Sequence, residues 1–150
     1  MSTEVKETNG QGQSNGQPEK PILFSRNAIP RVAGVKVKLP LIKGLEFLFE
    51  FKIRLSKDMQ AERETWLGQR VSEREKNYEE VTLKLAADLL VRDPQGFDPA
   101  DWPTEGSPGE KLLAYFQATT DPDAKKLIFD TIEAAISGYW AIVLPSAFPA

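Results

Sequence analysis

The sequence predicts an α+β domain: an N-terminal antiparallel β-hairpin packed on a bundle of about four helices, behind a disordered N-terminal tail. Three observations carry this. Between residues 32 and 55 apolar and polar residues alternate, the period of a half-buried strand. From residue 57 onward the apolar spacing changes to three and four, the period of an amphipathic helix. Helix-opening residues, Ser56, Ser72, Ser107 and Asp121, stand just before such stretches. With 150 residues, 41% of them apolar and 27% charged, one core of ordinary size suffices, and residues 21–150 read as a single domain.

Residues 1–20 are rich in Gly, Gln, Asn, Ser and charge, and bury too little to offset chain entropy, so they read as the disordered tail. The hairpin follows over residues 32–55. In "LEFLFEFKIRLS" Leu45, Phe47, Phe49, Phe51, Ile53 and Leu55 share one face, with Glu46, Glu50, Lys52 and Arg54 on the other and Leu48 the exception. Upstream, Ala33, Val35, Val37, Leu39 and Leu41 oppose Lys36 and Lys38. A two-residue turn at Lys43-Gly44 would set Phe49 opposite Lys38, mixing the faces. A three-residue loop, Ile42-Lys43-Gly44, pairs Val37 with Phe49, Val35 with Phe51 and Lys36 with Glu50, and gives Gly44 the left-handed position. Pro40 lacks a donor and marks the first strand as an edge or as bent. A lone ribbon is marginal, so its apolar face needs a cover, and the last helix is the expected lid.

Ser56 caps a helix over about 57–70, with Met59, Arg63, Trp66, Leu67 and Arg70 along one side. Ser72 and Glu75 have capping-box spacing, giving a second helix over 73–92, although one continuous helix from 57 to 92 is also compatible. The stretch "DPQGFDPADWPTEGS" looks acidic enough for calcium, but Phe97 and Pro99 occupy ligand positions of an EF-hand loop, so the expectation is a proline-stiffened loop pinned by Phe97 and Trp102. Ser107, Pro108 and Glu110 open a helix over 108–118. Asp121-Pro122 opens the last, 122–143, which Pro145 stops.

Charge and composition exclude several classes. A net charge of −3 removes the whole-chain argument for nucleic acid, yet residues 20–57 hold nine Lys or Arg against two Glu, and residues 93–150 hold three against nine acids. Lys36, Lys38, Lys52 and Arg54 are therefore the candidate basic surface, or the two halves simply complement each other. With no Cys and no His there is no disulfide, no thiolate metal site and no common general base. No phosphate-cradling loop or nucleophile elbow is present, so the sequence predicts a non-enzyme with no catalytic, cofactor or metal site. No window is long and apolar enough for a membrane span, and the N-terminus lacks a signal-peptide core, which predicts a cytoplasmic protein. Trp66, Leu67, Tyr139 and Trp140 are the candidate partner-binding residues, on positions that core packing would equally use.

A strand ending "FEFKIRLS", a polar helix "KDMQAERETW" directly after it, and a helical body closing on "GYWAIVLP" together resemble the tail assembly chaperones encoded beside the tail genes of long-tailed bacteriophages. The resemblance spans roughly residues 30–145. It implies a protein of the infected host's cytoplasm that binds the helical tape-measure protein, keeps it soluble and brings tail-tube subunits to it, without chemistry and with self-association open. Two other classes stay in view. One is a structural or connector protein of the phage particle; the other is a nucleic-acid module built on the basic hairpin.

Overall fold

The structure, a computed structural model, describes residues 20–144. The expected tail, apart from Lys20, and Pro145 lie outside the described residues. Two antiparallel strands, β1 (Val32–Lys38) and β2 (Glu46–Lys52), are followed by four helices: α1 (Lys57–Leu67), α2 (Val71–Leu89), α3 (Pro108–Ala118) and α4 (Pro122–Val143). The fold is α+β, a hairpin packed against four helices.

The hairpin's inward face is the one the alternation marks: Phe49 and Phe51 have no exposed surface, and Ala33, Val35, Val37 and Phe47 are buried beside them. Its register differs from the expected one. The pairs are Ala33 with Phe51, Val35 with Phe49 and Val37 with Phe47, and Lys36 faces Leu48 instead of Glu50. The ladder stops at Lys38 and Glu46, so the connection runs from Leu39 to Leu45. Pro40 is the physical reason, because the strand cannot continue through a residue without an N–H. The chain then turns twice, with the Ile42 N–H donating to the Leu39 carbonyl at 3.1 Å and the Leu45 N–H to the Ile42 carbonyl at 3.2 Å. Gly44 takes φ 85° as required. A slip of two residues leaves every side chain on its own face, but it puts Leu41, expected on the apolar face, into solvent at 75% exposure.

The last helix is the main lid over β1. A Cβ on Gly138 would lie 2.7 Å from Val35 Cγ1, so only glycine lets α4 approach this closely. Tyr139, 1% exposed, lies edge-on to Phe51 with ring centroids 5.6 Å apart, and its hydroxyl donates to the Ile53 carbonyl at 2.6 Å. Helices α2 and α3 meet as closely: a Cβ on Gly109 would fall 2.1 Å from the Ala87 carbonyl oxygen.

Residues 57–92 form two helices. α1 ends at Gly68, whose N–H donates to the Glu64 and Thr65 carbonyls. α2 begins at Val71, earlier than expected, with the Arg70 carbonyl accepting from the Arg74 N–H at 2.9 Å. Ser72 therefore lies inside the first turn, and the box expected with Glu75 does not form; Arg70 is the N-cap, without a side-chain bond. At its other end α2 stops at Leu89 because β2 competes for the chain. The Val91 N–H donates to the Glu50 carbonyl at 3.0 Å, and Leu48 and Gln95 exchange N–H···O bonds at 3.0 and 2.9 Å. These bridges cover the second edge of β2 and, among the described residues, leave β1 as the free edge.

The caps of α1, α3 and α4 are those the sequence marks. Ser56 Oγ accepts from the Met59 N–H at 3.2 Å. Ser107 and Glu110 complete a capping box at 3.2 and 2.8 Å, and Asp121 Oδ2 accepts from the Ala124 N–H at 3.0 Å. The proline-rich loop is held by aromatic packing: Phe97 stands 4.9 Å from both Phe47 and Trp102 and 5.1 Å from Tyr115, centroid to centroid.

Candidate functional site, an aromatic cleft between three helices

The amphipathic helices α1, α2 and α4 do not close completely over one another. They leave an open cleft of about 470 Å³ with a buried apolar floor, Val81, Leu85 and Ile136, and aromatic walls, Trp66, Tyr78 and Trp140. Each wall is fixed from behind. The Trp66 indole N–H donates to the Arg74 carbonyl at 3.0 Å, and Tyr78 packs against Trp66 at 6.1 Å and Phe129 at 6.2 Å. Trp140 meets Tyr139 edge to face with ring centroids 5.0 Å apart, while the Arg63 guanidinium lies over the Trp140 ring at 4.6 Å.

The rim carries both signs of charge. Arg63 comes from α1, and Asp130 and Glu133 from α4. Asp130 is engaged by Lys126 at 2.9 Å. Glu133 accepts the Tyr78 hydroxyl at 2.5 Å, and that bond, followed by burial, holds the phenol above its ordinary pKa. The other shifts also carry the pKa values away from pH 7. Lys84 and Lys126 are raised by hydrogen bonds from their ammonium groups to carboxylates, Tyr115 and Tyr139 by burial, and Glu110 is lowered by the Ser107 backbone N–H. A general acid or base needs the opposite displacement. Among the described residues no three carboxylates converge as a metal site would require.

The candidate partner residues are divided by the fold. Trp66 and Trp140 both line the cleft. Leu67 is exposed, 43%, and does not line it. Tyr139 belongs to the core, out of reach of any partner: its ring position on α4 points to β2, which helical spacing alone could not distinguish from the adjacent Trp140. Sequence reasoning missed Arg63 and Glu133 as rim charges and Tyr78 as a wall. The only signal available was their spacing along α1, α2 and α4.

The basic candidates do not form a continuous cationic surface. Lys36 and Lys38 are exposed on β1, and Arg54 is exposed beyond β2. Lys38 is opposite Glu46, Lys52 lies 3.8 Å from Asp88, and Arg92 Nε is 3.3 Å from Glu50, so carboxylates interrupt the face. Among the described residues no helix is long and apolar enough to cross a membrane. No protein-family model matches the chain, and neither the curated proteins nor the solved structures contain a match to it.

Proposed function

We propose that the chain is a non-enzymatic assembly factor that holds an amphipathic helix in the cleft between α1, α2 and α4. The observation that carries this reading is the cleft's composition: an apolar floor, three tethered aromatic walls, and a rim that carries Arg63, Asp130 and Glu133. A helix laid across it would insert apolar side chains three and four residues apart and place its flanking charges on the rim. Tethered rings cost little further ordering on binding. Together with the resemblance of the strand-helix and aromatic C-terminal segments, this supports a phage tail assembly chaperone acting in the host cytoplasm. The tape-measure protein is then the helical partner, and tail-tube subunits are recruited to it.

Co-expression of the full chain with the tape-measure protein of the same gene cluster tests the proposal, with light scattering as the readout. The wild type should co-elute with an otherwise insoluble partner. Ala134→Arg, on an exposed residue that lines the cleft, should abolish co-elution while leaving the fold intact. A tape-measure protein that ignores the wild type overturns the reading.

A second reading, a structural component that stays in the particle, draws on the run of exposed apolar side chains before β1. Recovery of the chain from purified particles separates the two readings. The interrupted cationic face leaves the nucleic-acid reading without comparable support.

A further inference from the structure

The segment before β1, residues 20–31, is "KPILFSRNAIPR". It carries Lys20, Arg26 and Arg31 and no acid. Three of its apolar side chains are the most exposed large hydrophobics among the described residues: Ile22 is 100% exposed, Phe24 86% and Leu23 81%. Surface apolar residues are ordinarily scattered, so three in a row mark an interaction site. Pro21 and Pro30 restrict the backbone around them, which lowers the cost of ordering the segment on a partner.

The same molecule offers a matching acceptor at its other end. Below the hairpin loop lies a groove of about 220 Å³, lined by Ile42, Leu45, Phe97, Tyr115, Leu127 and Ile128. Asp98 also lines it, and the charges of Asp101 and Asp98, after burial, help hold the Tyr115 phenol above its ordinary pKa, a sign of negative potential there. A cationic apolar arm and an apolar groove with an acidic rim are complementary in both respects. They do not meet within one copy. The arm leaves at Val32, and the groove lies past Lys38, about 20 Å away along the strand.

We propose that residues 20–31 dock in the hairpin-loop groove of a second copy of this chain, building a head-to-tail assembly. Such an interface joins two different surfaces, so it propagates into a ring or an open chain. It does not depend on the cleft between α1, α2 and α4.

The test uses the full chain in sedimentation and light scattering over a concentration series. The wild type should grow beyond a dimer, and less so as salt rises, because the rim charges are screened. The arm variant Leu23→Asp/Phe24→Asp and the groove variant Ile42→Asp alter exposed residues, should keep the wild-type circular dichroism, and should each be monomeric. Mixed together they should form a one-to-one heterodimer and nothing larger, since one intact arm and one intact groove remain. A monomeric wild type overturns the proposal, whether the arm folds onto its own groove or serves another protein. An arm variant that assembles as the wild type does overturns it in favour of pairing through the free edge of β1, and a mixture that fails to pair overturns it as well.

Discussion

Phe49 has no exposed surface and lies 5.8 Å from Phe51 and 6.3 Å from Phe97, ring to ring. Because the protein's own helices cover this face, Phe49→Asp should unfold the domain. An unpaired carboxylate in an apolar site costs more than about 4 kcal/mol, a large part of the stability of a small domain. Loss of the cooperative thermal transition in circular dichroism is the expected result. A mutant that melts like the wild type would mean the face is not the core. The inward position of Phe49 was legible from alternation alone, whereas the fate of Tyr139 was not. Its hydroxyl meets the Ile53 carbonyl 86 residues away in sequence, and no local pattern records that distance.

At the scale of elements, local signals located the helices and tertiary competition set some of their ends. The caps at Ser56, Ser107 and Asp121 are local hydrogen bonds and form as spaced. The end of α2 is not local, because β2 draws Leu90 to Gln95 into its open edge. The corner between β2 and α1 depends on a residue the sequence did not single out. Asp88 on α2 accepts the Ser56 N–H at 2.9 Å and its hydroxyl at 2.6 Å, fixing the cap from 32 residues away. Asp88→Ala should destabilise the domain by about 2–3 kcal/mol, since it strands a part-buried N–H and removes two charge-assisted bonds. Urea unfolding measures the loss, and faster amide exchange in the first turn of α1 would locate it at this corner. An unchanged midpoint would show that the cap stands without Asp88.

Across the whole molecule, all three tyrosines are placed so that the fold favours the neutral phenol. Tyr78 owes this first to Glu133, Tyr115 and Tyr139 first to burial. Each pKa is raised in the folded chain, so the stabilisation is fully present below the ordinary tyrosine value, about 10, and is lost as pH rises through the raised values. Phenolate absorbance should therefore appear above the ordinary value, with the melting temperature falling over the same range. Titration at the ordinary value with an unchanged melting temperature would contradict the placement of all three rings. The cleft and the groove also belong to this scale. Each is assembled from elements distant in sequence, and their lining residues look like ordinary helix and loop positions until the elements meet.

The sequence by itself determined the fold class, the inward face of the hairpin, three of the four helix caps and the aromatic anchoring of the proline-rich loop. These follow from periodicity and from hydrogen bonds made within a few residues, which a linear pattern records. Only the tertiary structure decided the hairpin register, the end of α2, the division of Trp66 and Trp140 from Tyr139, and the interruption of the cationic face. The physical reason is that each depends on which of several locally equivalent pairings buries more surface or satisfies a distant polar group, and that choice is made between elements, after each has formed.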